Sequence, residues 1–150
     1  RVLATAGTVA GFSILSLPSL FHLERAHYTY LTWLGISASL ALLAMVLLVI
    51  WRADILVGEA FLKSMASVGV MAFATNHILL MLIATPAKIH IALCQWVTTL
   101  LIATVGVLIL IAIWTEEMPE EMMRLFGVLV VLDALGTITV PILVRMSRSR

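Results

Sequence analysis

Residues 91–114 read IALCQWVTTLLIATVGVLILIAIW, 24 consecutive positions without a formal charge and with Gln95 as their only strongly polar side chain. At about 1.5 Å of rise per residue, such a run makes a helix of ~36 Å, enough to cross a hydrocarbon core of about 30 Å. Four runs of the same kind accompany it, at residues 2–21, 28–51, 64–87 and 125–144, and only the last holds a formal charge, Asp133. In lipid every backbone polar group needs a partner within the protein, and a helix supplies one for nearly all of them. The chain is therefore expected to be all-α, a polytopic transmembrane helical bundle of five hydrophobic helices, four or five of them spanning.

Composition agrees. Of 150 residues 63% are hydrophobic and 11% charged, against about 25% charged in soluble domains, and the mean hydropathy is +1.16. The runs leave no stretch for a separate soluble domain, so one integral membrane domain over residues 1–150 is expected. A net charge of +1, with Arg residues at run ends, speaks against a nucleic-acid surface. The expected partners are the lipid bilayer and other membrane subunits or further copies of the chain in a homo-oligomer. Cys94 is the single cysteine and reads as a small apolar helix residue.

Residues 2–21 are longer than the apolar core of a signal peptide and lack a clear small-x-small cleavage site, so a retained, packed helix is expected. Gly7 and Gly11 stand in G-x-x-x-G spacing there. Such small-residue ridges let two helices approach closely in lipid, which makes this pair the candidate helix-packing site.

Trp33 and Trp51 mark the two ends of the second run, with Tyr28 and Tyr30 beside the first of them, as in an aromatic belt. Asp54 is placed to cap a long third helix over residues 54–85, with Glu59 and Lys63 in the favourable i, i+4 order. Pro86, Ala87 and Lys88 suggest a tight turn into the fourth run. Pro119 followed by Glu120 and Glu121 is a helix-start pattern: proline lacks the N–H that would be orphaned, and the carboxylates meet the positive helix end. Pro141 is expected to kink the fifth helix near its end.

Charge leaves the number of spans open. With five spans the basic residues divide four against five, almost without an inside-positive bias. If the third run only dips into the bilayer the division is seven against two, and if the first fails to span it is six against three. Length favours five. Four spans with a dipping third run and five spans alike put the Glu-rich loop 115–123 outside and the basic tail after Val144 in the cytoplasm, in the plasma (inner) membrane.

Asp133 is the most informative polar position. It falls about 21 Å beyond Pro119, near mid-membrane, where a charged Asp costs roughly 2.5–3.5 kcal/mol and needs a partner. Thr137 lies one turn on and can donate to it. Ala134 and Gly136 leave room for another helix. Asn76 and His77 sit near the centre of the third run. With five spans, His77 and Asp133 reach depths within roughly 10 Å of each other. An Asp–His pair serves equally to hold two helices together or to pass a proton, and the static version is favoured because one pair is a short conduit.

His22, His27 and His90, with Glu24, form a weaker candidate set for a metal or a haem, without helix-face spacing or a completing cysteine. The four glutamates Glu116, Glu117, Glu120 and Glu121 read as a solvated helix start. No catalytic signature such as G-x-S-x-G, H-E-x-x-H or a phosphate-binding lysine loop is present in the sequence. The expectation is a non-catalytic accessory or scaffold subunit of a larger membrane assembly, without a cofactor. The alternatives are proton or cation conduction through Asp133 and His77 and, more weakly, a haem- or metal-binding electron-transfer subunit.

Overall fold

In a computed structural model, the backbone is described at all residues except 27, 57, 87, 117, 118, 149 and 150, and the side chains are described except at those positions and at 53–56 and 148. The chain folds into five α-helices: α1 Val2–Glu24, α2 Thr29–Leu56, α3 Glu59–Leu82, α4 Ile89–Thr115 and α5 Glu120–Arg148. No strand occurs among the described residues. All five helices are long and apolar enough to cross a membrane. This is the all-α architecture of an integral membrane protein.

The third helix departs from the sequence expectation. A helix of 32 residues from Asp54 was expected, whereas α3 has 24 residues, or ~36 Å. Asp54 belongs to α2, which bends at Arg52 (φ −131°, ψ 33°) and continues to Leu56. Gly58 opens α3 instead, its carbonyl accepting the Leu62 N–H at 3.1 Å. At the other end, α3 tightens and stops. Ile83 and Ala84 donate to carbonyls three residues back, Leu80 and Met81, at 3.3 Å each, and Pro86 biases the residue before it toward extended backbone. Ala87, in the expected tight turn, lies outside the described residues. Near the start of α3, Lys63 and Glu59 pair at 2.8 Å.

The chain divides into two compact units, Arg1–Asn76 and His77–Arg150, with the boundary inside α3. In the first unit α1 and α2 run antiparallel: Trp51 Nε1 donates to Thr5 Oγ1 at 3.3 Å, and the His22 and Tyr28 rings meet edge-on at 5.6 Å. The connection turns through two left-handed residues, Ala26 (φ 52°) and Tyr28 (φ 53°). The covered stripe of α1 runs through Thr8, Phe12, Ser16, Ser19 and His22, while Val9, Ile14, Leu17 and Leu20 face outward. Polar inside and apolar outside is the arrangement that lipid solvent favours. The helix hydroxyls stay satisfied by turning back one turn, as Thr8 does to Ala4 O and Ser16 to Phe12 O, both at 2.8 Å.

In the second unit α4 packs against α5 around Ile91, Val140 and Val144. The two helices come close at Gly136. A methyl placed there would lie 2.8 Å from Thr98 Cγ2, 3.1 Å from its Cβ and nearer still to Oγ1. No side chain other than hydrogen fits without moving Thr98, which is buried. α5 starts at Glu120, the Pro119 carbonyl accepting the Met123 N–H at 3.1 Å. It runs through Pro141 to Arg148, four residues beyond the apolar run's end.

Candidate functional site

Two polar clusters are built on consecutive residues of α3, one in each unit. Asn76 belongs to the first. Its side chain is 2% exposed and joins all three helices of that unit. Ser19 Oγ donates to its Oδ1 at 2.6 Å, and its Nδ2 donates to Ser39 Oγ at 3.0 Å and to Ala72 O at 2.8 Å. Both amide hydrogens and one lone-pair side of the oxygen are engaged. Ser19 and Ser39 are buried as well, and Thr32 and Thr75 lie nearby in sequence on the same helices, also buried. The cluster is neutral, and the Asn76 amide is nearly saturated.

His77 begins the second. Its Nε2 lies 3.1 Å from Thr137 Oγ1, and the Thr137 hydroxyl donates to Asp133 Oδ1 at a long 3.4 Å. Whether the His77 ring nitrogen donates or accepts in this pair depends on its tautomer. Three of the sequence-predicted residues thus form one hydrogen-bonded chain, His77, Thr137 and Asp133. The histidine and carboxylate are linked through the threonine. All three side chains are half-buried.

Gln95, which reaches the end of α3, is visible in the sequence only as an isolated amide. Its Nε2 donates to Met81 O at 2.6 Å and to Ala84 O at 2.8 Å. The last carbonyls of a helix have no intrahelical partner, so Gln95 ends α3 from the neighbouring helix of the same unit. Buried hydroxyls such as Ser19 and Ser39 carried no warning in the sequence, because most helical serines turn to their own backbone.

The remaining candidates do not converge. Gly7 and Gly11 are exposed, and a methyl at either would meet nothing within 4 Å. The ridge they form lies to one side of the stripe through Thr8, Phe12 and Ser19, and no described residue reaches a methyl placed on it. Ala134 is also exposed, whereas Gly136 makes a close approach. His22 is buried against the Phe21 and Tyr28 rings, His90 is exposed, and His27 lies outside the described residues. No group of three His, Cys, Asp or Glu able to hold a metal ion occurs among the described residues. Of the glutamate cluster, Glu120 pairs with Arg124 at 2.6 Å in full solvent exposure. Glu116 ends α4 in a left-handed conformation, φ 57°, and Glu117 lies outside the described residues. Cys94 is exposed.

No protein-family model matches the chain, and neither does any curated protein or solved structure.

Proposed function

We propose that this chain is a non-catalytic scaffold or accessory subunit of a larger membrane assembly. In this reading it resides in the plasma (inner) membrane, with its basic tail in the cytoplasm and the loop 115–123 on the opposite side. The observation that carries the reading is the use of the buried polar side chains. Asn76 ties α1, α2 and α3 together with three bonds of 2.6 to 3.0 Å, and Gln95 seals a helix end. Groups engaged in this way hold a fold in shape and leave little to act on a substrate. Extraction in a mild detergent followed by mass spectrometry tests it. Stoichiometric membrane partners are expected, and a homogeneous preparation of this chain alone would sink the reading.

A second reading has its own observation. The chain from His77 through Thr137 to Asp133 has an ionisable group at each end, and intramembrane ionisable residues commonly mark proton or ion routes. Liposomes holding the protein and a pH-sensitive dye separate the two readings. Proton leak that falls in Asp133→Asn favours conduction, whereas equal leak in both proteins leaves the chain a structural link.

A further inference from the structure

A cavity of about 520 Å³ opens in the second unit between the end of α3 with the turn after it and the last third of α5. Leu80, Ile83, Ala84 and Pro141 form its apolar walls, with Thr137 and Arg145 along the α5 side. Along α5 the eight residues from Thr137 to Arg145 span ~12 Å, so the cavity runs from the end of the apolar run toward its middle. The Thr137 hydroxyl is already engaged by His77 and Asp133 and asks for no further partner. An occupant therefore meets hydrocarbon-compatible walls and one charged end.

Charge at that end has a single sign. Arg145 is exposed and has no carboxylate partner among the described residues. No Asp or Glu occurs between Asp133 and the last residue given, a stretch that also holds Arg148 and Arg150. Lys88 lies at the same end of the unit, three residues before Ile91, which packs on Val144 beside Arg145. Between Glu59 and Glu116 the sequence has no acid either. Basic pockets between membrane helices on the cytoplasmic side attract anionic head groups, and a guanidinium is the side chain best shaped for a phosphate.

We propose that this cavity is a binding site for an anionic glycerophospholipid, with the lipid phosphate on Arg145 and one acyl chain lying along Leu80, Ala84 and Pro141 toward Thr137. The site is independent of whether the chain is a scaffold or a conductor.

The test uses the whole chain in vesicles holding equal phosphatidylglycerol and phosphatidylcholine with matched acyl chains, then native mass spectrometry of the released protein. One retained phosphatidylglycerol per chain is expected, favoured about fivefold, because the choline ammonium cancels the charge of the phosphate that both lipids carry. Arg145→Gln, at an exposed position, should bring the ratio close to one while keeping the melting temperature measured in phosphatidylcholine alone. Leu80→Trp, which narrows the cavity from a half-exposed wall, should lower retention of both lipids. No preference in the native chain, or an unchanged preference in Arg145→Gln, overturns the proposal. A Leu80→Cys variant in a Cys94→Ser background distinguishes a covering polypeptide. Protection from a maleimide only when phosphatidylglycerol is present supports the lipid, and protection in every lipid means that a helix covers the cavity and overturns it.

Discussion

The two units of this chain are held together by opposite devices. In Arg1–Asn76 a large polar side chain reaches across: Asn76 spans to Ser19 and Ser39, and Gly69 is relaxed, since a methyl there would stand 3.6 Å from Leu42. In His77–Arg150 a side chain is missing: Gly136 lets α4 and α5 meet at Thr98, and the polar chain beside it is loose, with bonds of 3.1 and 3.4 Å. Lipid explains why both devices work. Apolar side chains gain nothing from meeting each other in place of acyl chains, so helices associate through close packing or through hydrogen bonds. A protein can lean on either.

The contrast breaks most sharply at the glycines. Gly136→Ala should cost about 2–3 kcal/mol, the upper part of the overpacking range, because buried Thr98 is β-branched and cannot swing its branches clear. Thr98→Ala in the same chain should recover most of the loss. Gly69→Ala should change stability by less than about 0.5 kcal/mol, as at sites free of such clashes. Reversible unfolding in mixed micelles measures all three. Equal costs at Gly136 and Gly69 would mean that α4 and α5 do not approach as shown.

Next in size is the amide. Asn76→Leu keeps the volume and removes three hydrogen bonds, at roughly 0.6 kcal/mol each in membrane proteins, for a loss of about 2 kcal/mol. Thr137→Val removes the central hydroxyl of the other cluster and should cost no more than about 1 kcal/mol, since one of its two bonds is long. The same unfolding assay ranks them. If Thr137→Val proves the more damaging, the His77 chain, and not the Asn76 cluster, is the principal polar link.

How far these features could be read beforehand follows from the physics of each. Five apolar runs announce five helices because a bilayer sets a minimum length, and Asp133 with Thr137 could be paired on helical spacing alone. His77 could be brought toward them by counting depth along the helices. The ends of α3 could not be read. They depend on Gly58 opening the helix and on Gln95 reaching two carbonyls from another element, and neither is a local pattern. Ser19 and Ser39 were equally hidden, since Ser16 and Ser13 look the same in sequence yet bond only to their own helix. Gly7 and Gly11 show a related limit. Their spacing says that a face can pack, and nothing in it says which way that face is turned.

That last point yields the smallest and most discriminating expectation. Among the described residues a methyl at Gly7 or Gly11 meets nothing within 4 Å, so Gly7→Ala should leave the isolated protein intact or raise its stability by about 0.5 kcal/mol, through the better helix propensity of alanine. This is the reverse of the outcome at Gly136, though the substitution is identical. A clear loss of stability in the isolated chain would show that the glycine ridge packs within the chain. An unchanged chain with weakened retention of a co-purifying membrane subunit would place the ridge at an interface with that subunit. The unfolding assay and the extraction experiment, run on the same variant, read the two effects separately.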